Sequence, residues 1–315
     1  MQFKVTATEL LIRKTPSTKG KVLDPFLVKD EIVDSDTLSD DEKWVQVSKD
    51  GIIGWSFHQF LQPVVPDGPE PAPGDAVTII TNIAAASGIF KFNWANRGIA
   101  PAGYIKGMAL VFARVYGKLK NGDAAAIEMA KADTGMPATD AISFYAAKFD
   151  EAGMNNDASG ADTLRHLFVL QVGLGMRESS GRYCEGRDVS ADNVTSSTAE
   201  AGLFQTSFNA ATASPLLPQI FQQYQADDVD GLIDVFKEGV TATPADLANF
   251  GSGNGRLFQQ LSKQKPAFAA EFAAVALRNI RTHWGPINTR KAEVRPECDM
   301  MLLQVQNAVD AGAVV

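Results

Sequence analysis

The chain has 315 residues, 45% of them hydrophobic and 21% charged, with a formal net charge of −8. That length allows one large domain plus a small one, and the composition is ordinary for a soluble globular protein. The negative balance excludes a broad attraction to nucleic acid or to an anionic membrane surface, and no run of about 18 apolar residues suggests a spanning helix. Binding to an acidic polymer would have to come from a shaped groove. The start, "MQFKVTATELLIRKTPS", lacks the charged-then-apolar pattern of a signal peptide. It predicts a chain that acts where it is made, leaves by a route needing no such peptide, or has been processed.

Residues 1–62 read as short strands. "KVTAT", "EIVDSD", "KWVQVS" and "GIIGWSF" carry β-branched and aromatic residues between Pro, Gly and Asp turns. So many strands in so short a segment predict a small barrel. The order "LIRKTPSTKGKVL … KDEIV … KWVQVSKDGIIGWSFHQFL" resembles the bacterial SH3-like family, with Arg13, Pro16, Ser17, Trp44, Gly54, Trp55 and Leu61 at the matching places. Trp44 and Trp55 are expected to pack in the strands rather than to contact a ligand.

The segment 63–75, "PVVPDGPEPAPGD", contains five prolines and no apolar period. Proline fixes φ and lacks a donor, so an extended, semi-rigid linker is expected here.

From residue 76 to 315 the pattern turns helical. "AGYIKGMALVFARVYGKLK" has apolar residues at helical spacing and stops at Asn121-Gly122. "GDAAAIEMAKAD" and "ATDAISFYAAKFDEAG" predict two more helices. "ADTLRHLFVLQVGLGM" is apolar almost all round and predicts a central buried helix. "KPAFAAEFAAVALRNIRTHW" and "PECDMMLLQVQNAVDA" predict the last two. Two stretches break the pattern: Cys184 to Ser207, rich in Ser, Thr, Asp and Gly, and Asn249 to Arg256, "NFGSGNGR". Sites are commonly built in such interruptions.

With three histidines, two cysteines and no HExxH or CxxC, a metal site has no support, and no cofactor is expected. Cys184 and Cys298 could form one disulfide, worth about 4–5 kcal/mol for a loop of that order, or remain two thiols. His166 is expected at the core edge. His283 and Trp284 could line a sugar cleft or pack beneath the C-terminal helix.

Glu178 falls where the central apolar helix meets a polar loop. A solvated helix-end charge is one reading. Yet a carboxylate there opposes the negative pole of the helix dipole, and apolar surroundings also disfavour its ionised form. A carboxyl kept protonated near neutral pH is what a general acid in glycoside cleavage requires.

"RESSGRY" followed by "AEAGLFQTS" and then by "LANFGSGNGRLFQ" resembles, in order, three blocks of the lysozyme-like family of lytic transglycosylases and goose-type lysozymes. The resemblance covers residues 164–260. It implies a small all-β SH3-like barrel followed by a mainly α lysozyme-like domain, with Glu178 as the catalytic acid. Ser179, Tyr183, Gly202, Gln205 and Phe250 become the expected substrate-binding set. Phe250 and Gly251 stand where the family carries tyrosine and asparagine, and Ser207 stands where goose-type lysozymes carry an aspartate. The second carboxylate is therefore open among Glu185, Asp188, Asp192 and Glu200, with Glu200 preferred and Asp188 next; alternatively the substrate's own N-acetyl group assists. The expected activity is cleavage of β-1,4 bonds in peptidoglycan or a related N-acetylhexosamine polymer. It would be carried out by a monomer at the bacterial cell wall, with no nucleic-acid or membrane partner. The rival expectations are a non-catalytic glycan binder and a chitinase or chitosanase.

Overall fold

A computed structural model of the chain describes residues 2–35, 37–39, 43–64, 76–187, 194–226 and 229–315. It divides into two units, Met1–Pro71 and Ala72–Val315. Most of the proline-rich segment, residues 65–75, lies outside the described residues.

The first unit holds β1 (Gln2–Val5), β2 (Glu9–Arg13), β3 (Val22–Val28), β4 (Ile32–Asp34), β5 (Trp44–Lys49), β6 (Ile52–Phe57) and β7 (Leu61–Val64). They form two antiparallel sheets, in the orders β4-β1-β7 and β3-β2-β6-β5. Burial alternates strictly along β1 and β2, so every second side chain faces a small core of Phe3, Val5, Leu10, Ile12, Leu27, Val33, Val45, Val47 and Leu61. Asp50 and Gly51, both at positive φ, supply the two-residue turn between β5 and β6. Trp44 is buried edge-on against Phe57 at 4.9 Å, in a packing role, and Trp55 is half-buried.

The expected barrel is not closed by hydrogen bonds among the described residues. β1, β4 and β7 pair only with one another, and the β2–β6 ladder is limited to Arg13 and Trp55, with Ser56 Oγ also donating to Leu11 O at 3.0 Å. The alternation that predicts strands does not determine which edges join.

The second unit is mainly helical. Helix α1 (Ala76–Ala86) leads to a hairpin of β8 (Asn93–Trp94) and β9 (Gly98–Ile99), then to α2 (Ala102–Lys120). Three short helices follow, α3 (Ala124–Met129), α4 (Ala141–Phe144) and α5 (Ala146–Glu151), before α6 (Ala161–Ser179). After α6 come α7 (Leu216–Gln225), α8 (Ile233–Phe236), α9 (Pro244–Leu247), α10 (Gly253–Gln264), α11 (Pro266–Asn279), α12 (Gly285–Asn288) and α13 (Pro296–Asp310).

Helix α6 is the axis of this unit. Every residue from Thr163 to Met176 is buried, which is why the helix has no polar face. It packs on α2, α11 and α13, and each large apolar side chain so buried contributes roughly 1.5–3 kcal/mol. Its one fully buried cation, Arg165, is paired with Asp162 and Asp299, both at 2.7 Å. His166 lies in the core bonded to Asn156 at 2.9 Å, with burial pushing its pKa down to about 4. This places the last turn of α6, and Glu178 with it, on a helix anchored in the core.

The disulfide is not formed: Cys184 and Cys298 are both buried free thiols. Each sulfur faces its own surroundings. Cys184 accepts from Arg182 at 3.8 Å, whereas Cys298 in the first turn of α13 lies near Tyr104 and Asp299. Burial raises the pKa of both thiols, as expected of packed rather than reactive cysteines.

Candidate active site

Helix α6 ends in two left-handed residues, Ser180 (φ 54°) and Gly181 (φ 74°), whose amides return to the Met176 and Gly175 carbonyls. The stop leaves Glu178 in the final turn. Its carboxyl lines a cleft of about 710 Å3 together with Glu185, Arg187, Glu200, Gln205, Asp246, Asn249 and Phe250. Among the described residues no hydrogen-bond donor reaches that carboxyl. Burial first, and then the neighbouring charge of Glu200, push its pKa up to about 8, against a smaller opposing pull from Arg97. Glu178 is thus protonated at neutral pH, in an open cleft, with a second carboxylate beside it.

The turn at 201–206 is held through two consecutive carbonyls. Ser179 Oγ donates to Leu203 O at 2.8 Å, and Trp284 Nε1 donates to Phe204 O at 2.7 Å. The ring of His283 lies close to the Gln205 backbone, with its Nε2 left without a partner among the described residues. An isolated bridge joins Ala201 to Thr206, and the Gln205 side-chain amide closes the turn onto Gly202 O at 3.1 Å. Gly202 is required here: at φ 74° it permits the turn, and a Cβ would lie 2.8 Å from the Ser262 carbonyl. Its amide donates to Glu185 O at 2.9 Å, which ties the turn to the loop leaving α6.

The opposite wall is built by residues 245–250. Thr243 and Asp246 form a reciprocal capping box at the start of α9. The Asp246 carboxylate also meets Arg182 at 3.1 Å, and Arg182 in turn meets Glu185 at 3.2 Å. The bonds from Thr243, then the Arg182 charge, hold the Asp246 pKa below its ordinary value. Behind the wall, the buried Lys263 donates to Asp246 O at 3.0 Å and to Ala248 O at 2.6 Å. The buried Gln259 bonds both the amide and the carbonyl of Phe250 and also Ser196 O. Asn249 Oδ1 is shielded from solvent without a partner, an acceptor left open in a cleft wall. Phe250 stays 38% exposed, and the Arg187 guanidinium stacks 4.1 Å from its ring centre.

The structure brings Glu178, Glu200, Gln205 and Phe250 to one cleft, and Glu185 with them. Asp188 and Asp192 lie outside the described residues. Ser179 and Gly202 shape the cleft from behind, since Ser179 is buried and Gly202 acts through its backbone. Tyr183 does not line it: its ring is buried behind the loop. Trp284 is also buried and acts through the Phe204 carbonyl. Sequence reasoning passed over Arg97, Asp246, Asn249 and Lys263. Only the Thr-Pro-x-Asp start of α9 carried a local signal for one of them.

Among the described residues no group of three His, Cys, Asp or Glu side chains is arranged to hold a metal ion. None of their helices is long and apolar enough to cross a membrane. No protein-family profile, curated protein or solved structure matches the chain.

Proposed function

We propose that the chain is a glycosidase that cleaves β-1,4 bonds in peptidoglycan or a related N-acetylhexosamine polymer. The observation that carries this reading is the Glu178 carboxyl, set in an open cleft and held protonated up to about pH 8 by burial and by Glu200. Glu178 donates its proton to the glycosidic oxygen as the bond to the anomeric carbon breaks. The Glu200 carboxylate faces the positive charge that develops at that carbon, and the acid that has lost its proton serves as base for the second half of the reaction. Gln205 and Asn249 line the cleft beside the acid, and a sugar would have to turn the Asn249 side chain outward to use its unpartnered acceptor. Phe250 offers an apolar surface at the far wall.

The sequence resemblance of residues 1–62 to the bacterial SH3-like family, and of residues 164–260 to lytic transglycosylases and goose-type lysozymes, supports a wall polymer as substrate. In this reading the protein acts as a monomer at the bacterial cell wall, and the β unit raises the local enzyme concentration there. The test is digestion of purified peptidoglycan by the wild type and by Glu178→Gln, with products identified by mass. Soluble fragments from the wild type alone support the reading, and their mass separates reducing ends from anhydro ends. Equal release by both proteins moves the acid elsewhere. No release, with both proteins sedimenting with the wall, makes the chain a glycan binder.

A further inference from the structure

We infer that Arg97, beside this cleft, is a specificity-determining residue that receives a carboxylate carried by the glycan next to the bond that Glu178 protonates. The inference rests on the glycosidase reading above and adds the charge of the substrate and its direction in the cleft.

Arg97 comes from the β8–β9 hairpin, about 80 residues before the acid, and its backbone is fixed from several sides. Its amide donates to Trp94 O at 3.0 Å, Asn96 turns the chain at φ 58°, and Arg177 Nη1 donates to Ala95 O at 2.9 Å. The Ala95 amide is bonded to Glu293 Oε1 at 3.2 Å. From this anchored tip the guanidinium lies along the end of α6. Nη2 donates to the Arg177 carbonyl, and Nη1 reaches Ser180 Oγ at 3.5 Å. These two residues bracket Glu178, so the cation is held against the acid's own turn.

Its partners are neutral oxygens. Among the described residues no carboxylate forms an ion pair with Arg97, and its side chain is exposed. Glu178 does not neutralise it near pH 7, being protonated there. A guanidinium has five N–H donors in a planar fork, and most of those on Arg97 remain open. A carboxylate is the group that such a fork matches best.

The cleft lining sharpens the argument. Glu185, Glu200 and Asp246 line the cleft, Arg187 is stacked on Phe250 there, and Arg97 stands outside that lining, against the end of α6. An anionic substituent is therefore disfavoured along that lining and received by Arg97 beside the acid's turn. A polymer with a charged group on every second sugar would then bind in one direction and one register.

The test compares two soluble substrates of the same length. One is peptidoglycan glycan stripped of its peptides, in which every second sugar carries a free lactyl carboxylate; the other is the same strand with those carboxylates reduced to alcohols. The readout is the ratio of kcat/KM on the acidic strand to that on the reduced one, for wild type, Arg97→Gln and Arg97→Lys. We expect Arg97→Gln to lower the ratio about tenfold, mostly through KM, and Arg97→Lys to recover part of it. An unchanged ratio, including an equal loss on both strands, overturns the inference. If the wild type cleaves neither strand, the glycosidase reading fails by itself. Calorimetric binding of both strands then decides for Arg97: a preference for the acidic strand lost in Arg97→Gln supports it, and equal binding overturns it.

Discussion

Ser179 Oγ donates to the Leu203 carbonyl at 2.8 Å, so the residue next to the acid at the end of α6 is bonded to the turn that presents Gln205. Two segments more than twenty residues apart become one cleft wall through this contact. The same hydroxyl also bonds Gly175 O at 3.1 Å, one helical turn back. Neither the acid nor the turn can shift without the other.

Ser179→Ala should therefore cost more than a surface change. The buried Leu203 carbonyl loses its donor, at about 1–3 kcal/mol. Urea unfolding would read this as a lower midpoint at unchanged slope. Glycan cleavage should fall together with it, because Gln205 is no longer held in register with Glu178. Full activity at reduced stability would show that the turn is positioned by Trp284 and by the Gly202 and Gln205 bonds without Ser179.

Glu178 gives stability a pH dependence of defined sign. Its carboxyl titrates near 4.5 in the unfolded chain and about 8 in the folded one. Between those values the folded state holds a proton that the unfolded state has released, so stability falls as pH rises through the window. At ~1.4 kcal/mol per unit, discounted for partial solvent exposure, the loss is about 3 kcal/mol. Denaturation of wild type and Glu178→Gln from pH 4.5 to pH 8 checks this against the two values above. The variant should lack that loss, and parallel curves would place the raised titration elsewhere.

Glu200 acts on Glu178 through its charge. In Glu200→Gln that charge is gone, so the alkaline limb of the pH–rate profile should move toward acid by about one unit. The maximal rate should fall by roughly a hundredfold if Glu200 also faces the developing cation. A slower enzyme with an unmoved limb would separate the two roles and leave burial alone holding Glu178 protonated.

The wall at residues 249–256 depends on one glycine more than on its neighbour. A Cβ at Gly255 would lie 2.3 Å from the Ser196 carbonyl, a backbone atom that cannot swing aside. Gly253, at φ 66°, has open space around it. Gly255→Ala should cost about 2–4 kcal/mol and Gly253→Ala only ~1 kcal/mol of backbone strain. Thermal melting of the two variants gives the comparison, and an equal cost would show that conformation rather than close approach sets both positions.

Local signals in the sequence reached some of this and not the rest. The apolar spacing and the Asn-Gly stop delimit α2 at Ala102–Lys120, and the all-round apolar run identifies α6 as the buried axis. The segment 138–153 reads as one helix but divides at Tyr145, whose φ of −97° and ψ of 5° break the ladder between α4 and α5. The "NFGSGNGR" stretch reads as irregular, yet α10 begins at Gly253. Phe258 and Leu261 bury its apolar face and outweigh the poor propensity of two glycines. In the cleft, Glu178 and the Gly202–Gln205 turn are legible because each is a local pattern. Arg97, Asn249 and Lys263 are not, because only tertiary packing carries them to the acid.

Lys263 has a further consequence. One side of the cleft is the end of a helix threaded through the core, and it moves only when the whole unit comes apart. The other side hangs from one ammonium group bonded to the Asp246 and Ala248 carbonyls, from the Gln259 amide at Phe250, and from the Asp246–Arg182 and Phe250–Arg187 contacts. Releasing it breaks a few hydrogen bonds and exposes little apolar surface. The two sides of the cleft are thus held by unequal means, and under the proposed function a long polymer would be admitted by yielding at residues 245–250 rather than at Glu178.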